Sequence, residues 1–168
     1  MERELIKSLI KWKASQSRKP LILKGVRQCG KTYLLKEFGV RCYQDTAYFN
    51  FEENEALKTV FEKDYDIKRI IFELELQHGK KIQTENTLII FDEIQECGRA
   101  LTSLKYFCEN APEYHIVCAG SLPLSKIGLR SQRGYRGSDP RHGRRALPYP
   151  RNLLTLGGGD GLYELKAA

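Results

Sequence analysis

The chain has 168 residues, enough for one domain with a real core and too few for two ordinary ones. Hydrophobic residues make up 41% and charged residues 29%, the balance of a soluble globular protein, and no apolar run approaches the ~20 residues that span a bilayer. The net charge of +7 is unevenly placed: residues 1–126 carry 20 Lys and Arg against 18 Asp and Glu, residues 127–168 carry 8 against 3, so the basicity belongs mostly to the tail.

The N-terminal stretch MERELIKSLIKWK has no uninterrupted apolar region or small-residue cleavage site, so a cytoplasmic location is expected. Leu5, Ile6, Leu9 and Ile10 fall on one face of a helix over residues 5–12, and ASQSRKP reads as a linker. The run LIL after Pro20 fits a buried strand, and a helix is predicted from Lys31 to about Phe38 with Gly39 as its stop. TAYFNF is a second strand, followed by helices over Glu55–Lys63 and Asp66–Gln77. TLIIFDE is the clearest strand. A helix over Ala100–Asn110 leads to a last strand, YHIVCAGS. Strands that alternate with helices, and that are apolar throughout, predict a parallel sheet covered on both faces.

The five cysteines (Cys29, Cys42, Cys97, Cys108, Cys118) form no C-x-x-C pair and have no metal-type spacing with His78, His115 or His142, which suits reduced thiols. His115, inside its strand, reads as a core or face residue and not as a ligand.

Gly25-Val26-Arg27-Gln28-Cys29-Gly30-Lys31-Thr32 fits G-x-x-x-x-G-K-[ST] at every fixed position, between a strand and a helix. Glycines let such a loop turn its backbone N–H groups inward onto anionic oxygens, and the following helix adds its positive end. Gly25 to Thr32, with Tyr33 next in the helix, are therefore the expected nucleotide-binding residues. Lys31 would reach the β- and γ-phosphates, and the Thr32 hydroxyl would ligate Mg²⁺.

The metal needs a carboxylate at the end of a neighbouring strand, and LIIFDE supplies Asp92, about 60 residues downstream. Glu93, directly after it, is placed to orient and deprotonate an attacking water. Ser121, at the end of the last strand, is positioned either to touch the γ-phosphate or attacking water or to serve as a turn residue. The expected catalytic set is Glu93, Lys31 and Ser121, with Thr32 and Asp92 on the metal. Gln95 and Glu96 follow the acidic pair without an assigned role.

PLILKGVRQCGKTYLLKEF, YFNFEEN, TLIIFDEIQE and YHIVCAGSL together resemble the prokaryotic AAA-type ATPases in which a P-loop module precedes a C-terminal domain of unknown function. The resemblance runs from residue 1 to Leu122. It implies a P-loop NTPase three-layer sandwich, with the strand ending at Ser121 inserted between the P-loop strand and the Asp-Glu strand. It also implies Gly30, Lys31 and Thr32 as Walker A residues, Asp92 and Glu93 as Walker B, Ser121 as sensor, and ATP with Mg²⁺ as ligands. Family members complete their sites with an arginine from a neighbouring subunit and a C-terminal lid. The corresponding segments are missing or scrambled here, so the reading predicts weak binding, slow turnover and a fold incomplete at its C-terminus.

After Leu122 the pattern departs. Between Ile127 and Leu165 there are seven arginines and no lysine, whereas the first 126 residues hold 14 Lys and 6 Arg. NLLTLGGGDGLYEL resembles the family's later helix and the loop beyond it, as a local frame disturbance later corrected would leave. A basic arm is the rival reading of the tail, with arginines and tyrosines contacting nucleic acid. Expected organisation is a helix and linker over 1–19, a P-loop ATPase core over 20–126, and a disordered or frame-disturbed tail over 127–168. Function is expected as Mg-ATP binding with slow hydrolysis. The alternatives are a nucleotide-gated binding module or a fragment of a larger ATPase without a task of its own. Partners are ATP and a second copy through the ATPase module, nucleic acid being the weaker expectation, with no membrane.

Overall fold

The computed structural model describes residues 2–24, 30–120, 154–156 and 162–163. In chain order these form α1 (Glu2–Ala14), β1 (Leu21–Lys24), α2 (Lys31–Cys42), β2 (Asp45–Asn50), α3 (Glu55–Glu62), α4 (Ile67–His78), β3 (Thr87–Asp92), a 3-10 turn (Ile94–Glu96), α5 (Gly98–Asn110), β4 (His115–Gly120), β5 (Leu154–Leu156) and β6 (Leu162–Tyr163). All strand pairs are parallel, in the order β2-β3-β4-β1-β5-β6. The strand order therefore inserts β4 between β1 and β3.

The period-2 alternation of side chains along each strand divides the core into two layers. Leu21, Leu23, Leu88, Ile90, Val117 and Ala119 face α1 and α2, where they meet Leu9, Trp12, Leu35 and Phe38. Ile22, Ala47, Phe49, Ile89, Phe91, Ile116 and Cys118 face the opposite way, onto α3, α4 and α5. β3 and β4 are buried at every position, which is why their sequences are apolar almost throughout. The architecture is a three-layer α/β sandwich, as the sequence predicts. Phe51, Phe61 and Phe91 form a fully buried aromatic cluster beneath the end of β3, with ring centroids 5.5–5.8 Å apart.

Local chemistry sets the helix ends. Asn54 accepts from Leu57 N at 3.1 Å to cap α3, and Asp66 accepts from Lys68 N at 3.0 Å to cap α4. Gly79, at φ 76°, closes α4 in the left-handed conformation that glycine takes without penalty.

Gly39 does not stop α2, which continues to Cys42. Its lack of a side chain serves packing instead: a Cβ at this buried position would collide with Thr46 Oγ1 on β2. Gly39→Ala is therefore expected to destabilise the protein by about 1–3 kcal/mol, although alanine is the better helix former. Thermal unfolding of Gly39→Ala beside the Gly39→Ala/Thr46→Ala pair checks this, the second change restoring most of the loss.

His115 opens β4 and is buried, its Nδ1 2.7 Å from the Tyr43 hydroxyl and its ring edge-on to Trp12. Of the core and face positions open to it in sequence, it takes the core. Burial, assisted by the positive charges of Arg18 and Lys13, lowers its pKa to about 4. The unfolded chain takes up this proton near the ordinary value of 6.5 while the folded protein does not. Stability from His115 is thus complete above pH 6.5 and is lost as pH falls from there toward 4, by up to about 3 kcal/mol. Urea midpoints measured across that window should fall for the unaltered chain and flatten for His115→Gln.

β5 and β6 continue the sheet beyond β1, with Leu21 opposite Leu154 and Ile22 opposite Thr155. Within the segment read from sequence as a disordered or frame-disturbed tail, residues 154–156 and 162–163 are strands. A short apolar run with a β-branched threonine suits the hydrogen-bonding edge that β1 presents. The rest of 127–168 lies outside the described residues.

Candidate functional site

In a parallel sheet, every strand ends on the same edge, and the loops that leave that edge share one crevice. Here the edge is formed by Lys24, Asn50, Asp92 and Gly120. Cross-strand register sets Lys24 opposite Gly120 and Asn50 opposite Asp92.

α2 begins at this edge. Gly30 precedes it with φ 81° and ψ 11°, a left-handed conformation, and no neighbouring atom lies within 4 Å of where its Cβ would be. Glycine is required there by the backbone, not by space. Because Gly30 offers no capping side chain, the helix has no side-chain cap on its first-turn N–H groups, the arrangement that receives an anion. Lys31 is the first residue of α2 and is buried. A buried ammonium at the positive end of a helix is electrostatically adverse, which makes the position suited to meeting a phosphate.

Thr32 Oγ1 donates to Asp92 Oδ2 at 2.7 Å, joining the helix start to the end of β3 across 60 residues. Asp92 lies on the same face of β3 as Leu88 and Ile90 and is only 4% exposed. Its Oδ2 also accepts from the Tyr48 hydroxyl at 2.8 Å, and its Oδ1 accepts from Glu93 N at 3.0 Å. Burial first, then the Asp92 carboxylate, push the Tyr48 hydroxyl well above its ordinary pKa, so it remains a donor throughout the physiological range. Lys36 stacks its ammonium 3.7 Å from the Tyr48 ring centroid. A carboxylate and a hydroxyl brought together in this way form a hard-oxygen donor set, the chemistry that Mg²⁺ prefers.

Glu93 leaves the strand in the left-handed region, with φ 48° and ψ 44°. For a residue with a Cβ this conformation costs on the order of 1–3 kcal/mol. The Gln95 side-chain amide donates to Glu93 Oε2.

The structure thus brings Gly30, Lys31, Thr32, Asp92 and Glu93 to one edge of the sheet. Tyr33, 66% exposed, stands on the first turn of α2. Gly25, Val26, Arg27, Gln28, Cys29 and Ser121 lie outside the described residues. Tyr48 was not among the residues expected from sequence. Its alternation with Phe49 places it on the Asp92 face, but the cross-strand register that brings its hydroxyl to Asp92 has no mark in the sequence.

A family model described as "AAA domain" matches residues 17–135. The chain belongs to the AAA domain family. The match extends past Leu122, where the sequence resemblance stops. The sheet order and the domain match together give an ATPase-type α/β module. Among solved structures, one similar to this AAA domain is described as "Structure of C. elegans PCH-2". It is 14% identical, with a TM-score of 0.47 over 72% of this chain and 37% of that one, so the chain spans little more than a third of that protein. No curated protein matches the chain in sequence. Among the described residues of the AAA domain, no helix is long and apolar enough to cross a membrane.

Proposed function

We propose that this chain binds Mg-ATP at the β1–α2 junction and hydrolyses it slowly. The observation that carries the reading is the Thr32–Asp92 hydrogen bond, which puts the two expected metal-holding groups in contact at the start of α2. The residues that would bind nucleotide are Gly25 to Tyr33, with Thr32 and Asp92 holding Mg²⁺. Mg²⁺ held by these two side chains would supply charge neutralisation to the phosphates.

Each side chain then has a task. Lys31 offers a cation to the β- and γ-phosphates from a buried position, where its charge is weakly screened. Tyr48 holds Asp92 in orientation by donating to the same oxygen that Thr32 contacts. Glu93 accepts the proton of the attacking water, and Ser121 contacts the γ-phosphate or that water. Among the described residues, Arg18, Arg41, Arg69 and Arg99 make local contacts, with Lys13 O, Glu37, Asp64 and Phe61 O respectively. An arginine supplied to the phosphates by a partner is worth about 10³–10⁵ in rate where NTPases use one.

Calorimetry with Mg-ATP and Mg-GTP on the full chain tests the reading, with Lys31→Ala as the control. Binding of Mg-ATP that disappears in the variant supports it. Equal heats from both proteins overturn it.

A further inference from the structure

Gln95 lies in the 3-10 turn directly after Glu93, and the reaction above gives it no task. Its Nε2 donates to Glu93 Oε2. Its other end faces β4: a Cβ built on Gly120 would stand 2.8 Å from Gln95 Oε1. Gly120 is not among the glycines with positive φ, so the position asks for no special backbone freedom. The missing side chain there makes room, and the group that fills the room is the Gln95 amide.

The turn that carries Gln95 is itself held. Ile94 and Cys97, on either side of Gln95, are 1% and 7% exposed, and Cys97 N returns to Ile94 O at 3.1 Å. Glu96 N bonds Glu93 O at 3.0 Å, closing the turn on the strained Glu93 backbone. Gly120 pairs with Lys24, the last residue of β1, so the Gln95 amide bridges from the acid at the end of β3 to the strand that β1 borders.

Resting on the reading of Glu93 as the base, we infer that Gln95 is a positioning residue: it clamps the Glu93 carboxylate beside the end of β4, and Gly120 is the slot that admits it. A glutamate side chain has three rotatable bonds, and a base must present one oxygen to the water at the moment of attack. By holding Oε2 the amide fixes the plane of the carboxylate that takes the proton. The clamp acts on the chemical step and not on nucleotide affinity, because the Gln95 amide meets the carboxylate of the base.

The test compares Gln95→Ala, Gly120→Ala, the double variant and Glu93→Gln in the full chain. Three quantities are read: single-turnover hydrolysis, the affinity for Mg-ADP, and the affinity for Mg-ADP with aluminium fluoride as a mimic of the transferring phosphoryl group. Gln95→Ala should slow hydrolysis by about 10- to 100-fold and weaken the mimic by a similar factor, with Mg-ADP affinity unchanged. Gly120→Ala should do the same by displacing the amide, and the double variant should be no worse than either single one. Losses that multiply in the double variant, or Mg-ADP binding that weakens in step with hydrolysis, overturn the clamp. So does normal hydrolysis in Gln95→Ala while Glu93→Gln is inactive. If Glu93→Gln itself hydrolyses normally, the reading of Glu93 as base fails, and the clamp with it.

Discussion

Replacing Lys31 by alanine is expected to weaken Mg-ATP binding at least about 100-fold while leaving the fold intact. The ammonium is buried at the first position of α2, so its interaction with a phosphate is weakly screened by water. Loss of one such charge-assisted contact corresponds to roughly 1.5–3 kcal/mol for the hydrogen bond alone, and more when the phosphate charge is left without its counter-charge. A cation at a helix N-terminus opposes the dipole, and alanine is a good helix former, so the thermal midpoint should be unchanged or slightly raised. Calorimetry and thermal unfolding on the same samples separate the two effects. Retained binding would place the phosphates somewhere other than the α2 N-terminus. Lost binding with a lowered midpoint would mean that Lys31 acts in folding.

Glu93→Gln is expected to keep Mg-ATP affinity within a few-fold and to slow hydrolysis by about 10²–10⁴-fold. The substitution changes charge and basicity with almost no change in shape. Its backbone stays in the left-handed conformation at similar cost, since neither residue type is favoured there. Asp92, which accepts from Thr32, Tyr48 and the backbone of residue 93, keeps all three contacts. The binding groups are therefore untouched and the proton acceptor is removed. Single-turnover hydrolysis measured at saturating nucleotide is the decisive reading. A variant that binds and hydrolyses at the unaltered rate would remove Glu93 from the chemistry. A chain that binds without measurable turnover in either form would instead be a nucleotide-gated binding module.

These two residues were legible in the sequence for different reasons. Lys31 sits within a spaced motif whose fixed positions answer to the geometry of a phosphate. Glu93 is named by adjacency alone: an apolar strand ends, and two acids follow. Gln95 was just as visible and could not be assigned, because its role depends on an absent side chain at Gly120, 25 residues away in the chain and beside it in space. Tyr48 was hidden for the same kind of reason, since only the β2–β3 register, which sets it opposite Ile90, brings its hydroxyl within reach of Asp92.

Gly39 shows the opposite failure. Read locally, a glycine eight residues into a helix looks like its end, because glycine is the poorest helix former after proline. In the fold it lies against Thr46, and the close approach of α2 to β2 outweighs the local preference. Residues 154–156 likewise take their strand conformation beside the edge of β1, a long-range pairing that their local sequence does not announce.

The sequence by itself determined the layer architecture, the sheet's parallel character and the phosphate motif. Each follows from short-range rules: strands buried on both faces must be apolar, helices must present a stripe, and a loop that wraps an anion must carry glycines and a cation. The family resemblance already implied β4 between β1 and β3 and Thr32 beside Asp92; only the tertiary structure decided the place of β5 and β6, the Tyr48 contact and the Gln95 contact. Those depend on which strand lies beside which and in what register, and such pairings are fixed by the packing of distant side chains that leaves no periodic trace along the chain.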